Sequence, residues 1–177
     1  MEVPGFTYTP EVINTEDEKH LIRHLKTEEW NTALSRRTLH YGWEYPYNSF
    51  GELKPTDPIP EFLIPLKDKV ELLTNSKFDQ VIVNEYLPGQ GIAPHIDHTN
   101  FFGDTIGVIS LGSHTCLTLK HRTKKGVDII LEPRSMYVMT DVARYVYQHS
   151  IPKRNTDNGR KRGTRYSITF RQVIPRT

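Results

Sequence analysis

The hydrophobic positions of this chain change their period near residue 79. Before that point they recur at helical spacing. Leu21, Ile22 and Leu25 follow Thr15-Glu16-Asp17-Glu18, which reads as a capping box, and together they predict a helix over 16–26. Phe62, Leu66, Val70 and Leu73 share one face and predict a second helix over 61–74. Pro65 falls in its opening turn, where a missing N–H is tolerated. Beyond Asp79 the apolar residues come in short runs parted by Gly89, Gly91, Gly103, Gly112, Gly126 and Gly163. Strands are predicted at 80–86, 105–111, 116–120, 127–131, 135–139, 145–149 and 165–173, and a mobile hairpin loop at 153–163. Many short strands at this spacing predict a mostly β (α+β) fold, a double-sheet jelly roll with the N-terminal helices packed outside.

A chain of 177 residues with no repeat, linker or low-complexity tract reads as one domain. Within it, residues 1–78 form an N-terminal extension and 79–177 the β core. The N-terminal segment has no basic or apolar run of a signal peptide, and 62–66 is far too short to span a bilayer. Cys116, the single cysteine, excludes an internal disulfide. The expectation is an intracellular monomer, cytoplasmic or nuclear, without a membrane partner.

Charge adds an asymmetry to this picture. Residues 1–150 carry 15 Lys/Arg against 20 Asp/Glu, whereas 151–177 carry 8 against 1. Lys153, Arg154, Arg160, Lys161 and Arg162 fall in the predicted hairpin loop, soon after His149. They suit a polyanionic partner, although a solvated loop has the same composition.

The candidate chemistry begins at His95-Ile96-Asp97. On an extended strand residues two apart share a face, so both polar side chains point one way. A histidine and a carboxylate joined by a distant histidine make the facial triad of non-heme Fe(II) sites. His149 is the distal candidate. His98 alternates away from Asp97, His114 sits in a Gly-Ser turn and His121 opens a basic turn, while His20 and His24 read as a solvated helix face. In 165–171, alternation puts Arg165, Ser167, Thr169 and Arg171 on one face, opposite Tyr166, Ile168 and Phe170. Two arginines lining a barrel interior are costly without anions, and a dicarboxylate has two. An exposed edge strand with both arginines in water remains the alternative. Asn84 and Tyr86 share a face in the same manner, though either suits a satisfied core position.

Together, Asn84-x-Tyr86, Pro88-Gly89-x-Gly91, His95-x-Asp97, Ser110-Leu111-Gly112, His149 and Arg165-x5-Arg171 resemble the AlkB-type Fe(II)- and 2-oxoglutarate-dependent dioxygenases. The resemblance implies a double-stranded β-helix with iron on His95, Asp97 and His149. By it, Asn84 and Arg171 hold the 2-oxoglutarate carboxylate nearest iron, and Tyr86 and Arg165 the far one. Ser167 stands where several members carry asparagine. The cosubstrates are 2-oxoglutarate and O2, leaving as succinate and CO2. The implied substrate is a nucleic acid, RNA or DNA, whose modified base is demethylated or hydroxylated.

The stretch 36–45 resembles the family's nucleotide lid, with Arg37, Tyr41, Trp43 and Tyr45 as contacts, although core or edge-strand packing accounts for an aromatic cluster equally well. Thr99 replaces an acidic residue of the bacterial repair enzyme, and the phrasing is nearer to homologues that hydroxylate a tRNA wobble uridine. Two other readings stay open: a protein side-chain hydroxylase, and a non-catalytic RNA-binding jelly roll.

Overall fold

The computed structural model describes residues 2–47 and 51–175; Arg176 lies outside them. Along the chain the elements are β1 (Phe6–Thr9), α1 (Thr15–Leu25), β2 (Arg37–Tyr41), β3 (Trp43–Glu44), β4 (Lys54–Pro55) and α2 (Ile64–Thr74). Then follow β5 (Gln80–Tyr86), β6 (Ile92–His95), β7 (Ile106–Gly112), β8 (Thr115–Lys120), β9 (Val127–Leu131) and β10 (Met136–Met139). The last are α3 (Asp141–Tyr145), β11 (Gln148–Ile151), β12 (Thr156–Asp157), β13 (Arg160–Lys161) and β14 (Arg165–Arg171).

Two antiparallel sheets carry the fold. The major sheet runs β1-β10-β7-β14-β5-β2 and the minor sheet β6-β11-β8-β9. Alternation sorts the side chains of the major sheet. Val81 and Val83 of β5, Ile109 and Leu111 of β7, and Tyr166, Ile168 and Phe170 of β14 pack with Leu21, Leu25, Leu66 and Val70 of the helices. On the other face, Ile106, Val108, Tyr137 and Met139 meet Leu117, Leu119, Leu131 and Ile151 of the minor sheet. The result is three layers: helices, major sheet, minor sheet. This is the jelly roll expected, with the helices outside. Gly107 permits the close approach of α2, because a Cβ there would lie 2.8 Å from Val70 Cγ1.

Several details differ from the sequence reading. Asn14, not Thr15, caps α1, its side chain accepting from the Asp17 N–H at 2.8 Å. Leu73 is 52% exposed, since Leu63, Leu66 and Val70 already fill the buried stripe of this segment. No strand starts at residue 145: the chain makes the short α3 and resumes as β11 at Gln148. β1 and β2 were not expected. Both belong to the major sheet, so residues 1–78 supply sheet strands as well as outer helices.

Candidate active site

Cross-strand register brings the two histidines together. β11 pairs with β6 so that His149 lies opposite His95, and the two rings sit 4.2 Å apart between centroids. Asp97 is not on the strand, which stops at His95. It reaches the pair from the following loop, and its Oδ1 lies 3.4 Å from His95 Nε2 and 3.2 Å from His149 Nε2. One ligand atom from each of the three residues falls within 4.8 Å of the others. His95 Nδ1 bonds the Ala93 carbonyl at 2.8 Å, which leaves Nε2 to face the cluster.

The charges around the cluster are set by burial and by Arg171. Burial alone would raise the Asp97 carboxyl, but Arg171 and the hydrogen bonds from His149 and His95 hold it well below the usual carboxylate range. Burial pushes His149 below the usual imidazole value, favouring the neutral ring that a metal needs. Three ligands of these types on one side of a cavity fit a divalent iron with positions left open.

The cavity beside the triad has a volume of about 700 Å³. Arg165, Ser167, Thr169 and Arg171 all line it from β14, and Asn84 and Tyr86 from β5. Edge-strand exposure is thereby excluded for β14: it is the fourth of six strands, and all seven of its residues are buried. Arg165 Nη2 donates to Ser110 Oγ at 2.8 Å, and its guanidinium lies 5.4 Å from the Tyr86 ring centroid. Its Nε and Nη1 are buried without a hydrogen bond, and so is Arg171 Nε, whose nearest charge is Asp97 Oδ2 at 3.4 Å. Buried charged donors left without acceptors are expensive, and a bound dicarboxylate would satisfy both ends.

The roof of the cavity is aromatic. Tyr45 stacks on Phe102 at 5.9 Å, and Tyr47, His98 and Phe101 complete it. Of the anticipated lid residues only Tyr45 lines the cavity. Arg37 grips Glu85 with two hydrogen bonds of 2.9 and 2.8 Å, Tyr41 is buried in the helix-side core, and Trp43 pairs with Pro55. Thr99 is exposed in the turn after Asp97. The 153–163 segment is a hairpin, as read, but not a free basic arm. Arg154 and Arg162 both donate to buried Asp157, and Arg160 pairs with Glu132, leaving Lys153 and Lys161 without an ion pair among the described residues.

The sequence reading passed over Arg36, Tyr47 and Tyr137, all of which line the cavity. Period-two reading of 36–41 would have separated Arg36, Thr38 and His40 from Arg37, Leu39 and Tyr41. Arg36 Nε donates to Asn84 Oδ1 at 3.1 Å, which turns the Asn84 amide nitrogen away from it.

The comparisons with known proteins agree with this geometry. The profile of the 2OG-Fe(II) oxygenase superfamily matches residues 5–171. An uncharacterised protein of Acanthamoeba polyphaga mimivirus, L905, is 36% identical over 96% of this chain and 85% of its own length. The chain is an AlkB-type 2OG-Fe(II) oxygenase. The tRNA (carboxymethyluridine(34)-5-O)-methyltransferase ALKBH8 of Macaca fascicularis is 32% identical over 96% of this oxygenase, which spans 30% of that relative. Among solved structures, OsALKBH1 aligns over 97% of this chain and 100% of its own with a TM-score of 0.74 at 17% identity. A prolyl-4-hydroxylase from Pseudomonas putida aligns over 95% of this chain and 92% of its own with a TM-score of 0.62 at 15% identity. Both share its fold. As a member of this family the oxygenase uses Fe(II), 2-oxoglutarate and O2, and its His-Asp-His cluster is the triad the iron requires. No helix among the described residues is long and apolar enough to cross a membrane.

Proposed function

We propose that this oxygenase oxidises a modified base in RNA or DNA, removing an alkyl group or hydroxylating a side chain. The observation that carries the reading is the aromatic roof, where Tyr45, Tyr47 and Phe101 sit across the same cavity as the triad. Flat rings facing a metal centre suit a flat base, and each stacking contact contributes about 1–3 kcal/mol. Relatives named for nucleic-acid work support it: ALKBH8, and the probable RNA/DNA demethylase ALKBH6 of Danio rerio, 26% identical over 84% of this chain.

In this reading His95, Asp97 and His149 hold the iron. Asn84 and Arg171 hold the 2-oxoglutarate carboxylate nearest it, and Tyr86, Arg165 and Ser167 the far carboxylate. Iron, 2-oxoglutarate and oxygen together supply the oxidant that turns C–H into C–OH, with succinate and CO2 leaving. The chain's own residues position and exclude. The Ala93 carbonyl fixes the His95 ring, Arg36 orients the Asn84 amide, and the buried walls of β14 keep water from the arginines. A hydroxylated carbon on nitrogen collapses to an aldehyde, whereas one on carbon persists. The resemblance to homologues that hydroxylate a tRNA wobble uridine favours the second outcome, and the ALKBH8 name points to the same kind of nucleoside, a tRNA uridine at position 34.

Succinate release, followed across methylated oligonucleotides and tRNA with product mass spectrometry, tests both outcomes. Nucleic-acid-stimulated release is expected. Release stimulated by a peptide and not by any nucleic acid overturns the reading.

A further inference from the structure

The turn between β8 and β9 gathers Lys120, Arg122, Lys124 and Lys125 within six residues, all exposed. Among the described residues none of the four forms an ion pair. That sets the turn apart from the 153–163 hairpin, where three of five cations are already neutralised. Asp128, the acid that shares the groove with Lys120 and Lys125, accepts from the Thr118 hydroxyl at 2.7 Å.

The turn is built rather than loose. His121 Nδ1 accepts from the backbone N–H groups of Thr123 and Lys124 at 3.1 and 3.2 Å. The His121 ring packs on Tyr147 at 5.0 Å between centroids. Side chains of Lys120, Arg122, Lys124 and Lys125 are thus held outward on a fixed backbone, which lowers the ordering cost of engaging them.

Register places this turn beside the metal end of the minor sheet. His95, His149 and Leu119 lie on one rung, and Lys120 pairs with Gln148, the neighbour of His149. Leu119 is two strand spacings from His95, about 10 Å. That offset suits the backbone flanking a target base.

We propose that the β8–β9 turn docks the phosphates of a single-stranded RNA while its target base enters the cavity. The inference rests on the nucleic-acid reading above. Phosphate contacts position a strand without reading its sequence, so the surface adds affinity and registration, not base choice. Each contact releases counterions and steepens the salt dependence of binding by about 0.7 for a single strand.

The test uses the full chain and a short fluorescein-labelled single-stranded RNA of mixed sequence, titrated at several salt concentrations. One variant carries Arg122→Gln, Lys124→Gln and Lys125→Gln. The matched control carries Arg23→Gln, Lys26→Gln and Lys69→Gln, exposed helix cations with no ion pair among the described residues. Both variants lower the net charge equally, so a field effect moves both. The turn variant is expected to lose at least 10-fold in affinity and to flatten the salt slope by about 2, with the control near wild type. Equal losses in the two variants, or none in the turn variant, overturn the docking surface. Succinate release on modified RNA separates the two ideas. Release by a wild type whose turn variant binds normally leaves the activity standing and removes the surface. Loss of binding in the turn variant, when no nucleic acid stimulates wild-type release, removes the activity and keeps the surface. A wild type that binds no RNA overturns both.

Discussion

The Arg144 guanidinium donates to the main-chain carbonyl of Asp97 at 2.7 Å, from a side chain buried at 2% exposure. The same side chain reaches the carbonyls of Gly103 at 3.1 Å and Phe102 at 3.2 Å. One buried cation, five residues before His149, therefore gathers both ends of the loop that carries Asp97 and the cavity wall. Its charge is balanced by carbonyl dipoles and by the nearby Asp97 and Asp104.

Arg144→Lys keeps the charge, but a point charge lacks the planar fork needed to meet several carbonyls at once. Stability should fall by about 1–3 kcal/mol as buried acceptors lose partners. Fe(II) affinity should fall about 10-fold or more, the range for residues supporting metal ligands. Equilibrium unfolding and metal titration check both, and hydrogen exchange at residues 98–103 of the apo-protein should rise.

Arg165→Lys should weaken 2-oxoglutarate binding about 10-fold, a loss of 1.4 kcal/mol. The reason is geometric: Nη2 spends one hydrogen on Ser110, and the planar guanidinium still offers Nε and Nη1 donors that have no hydrogen bond, a spread one ammonium cannot match. Calorimetry with the metal-loaded protein measures it. An unchanged dissociation constant would show that the far carboxylate lies elsewhere.

Tyr45→Ala removes the ring stacked on Phe102. The KM for the nucleic-acid substrate should rise about 5-fold or more, in line with a stacking loss of at least 1 kcal/mol, and by more than the KM for 2-oxoglutarate. Steady-state kinetics with each substrate varied in turn checks the split.

Asp157→Asn tests the hairpin. Burial alone would raise this carboxyl, but hydrogen bonds and charge from Arg162 and Arg154 hold it below the usual carboxylate value. A lowered folded pKa means the ion pairs stabilise fully above the unfolded value of about 3.9 and fade as pH falls through the folded one. At neutral pH the variant should be about 3 kcal/mol less stable. Thermal melts from neutral to acid should show the gap between the two proteins closing toward the bottom of the range.

Side-chain alternation was legible wherever a strand is long and paired on both edges. Arg165, Ser167, Thr169 and Arg171 could be assigned to one face because β14 runs seven residues without interruption. His95 and Asp97 were grouped correctly for an incorrect reason, since the strand ends at His95 and a loop delivers the aspartate. Arg144 left no local signal: its partners are main-chain carbonyls more than forty positions away. β1 and β2 were missed because their pairing partners, β10 and β5, are just as remote in sequence. The pairing of Arg154, Arg160 and Arg162 likewise depends on the burial of Asp157 and on Glu132 reaching in from outside the segment; a count of charges includes both acids but shows neither relationship.

The place of β14 in the major sheet has a consequence for synthesis. It lies between β7 and β5, yet it is made after both. Until residues 165–171 leave the ribosome, β5 and β7 each present an open edge to other nascent chains, a template for misassociation. Such non-local pairing also folds slowly, because a long loop must close before it is rewarded. The strand that brings both arginines to the cavity is thus the one that seals the sheet. A growing chain cannot hold a finished site within an unfinished sheet, and chaperone demand should peak just before β14 emerges.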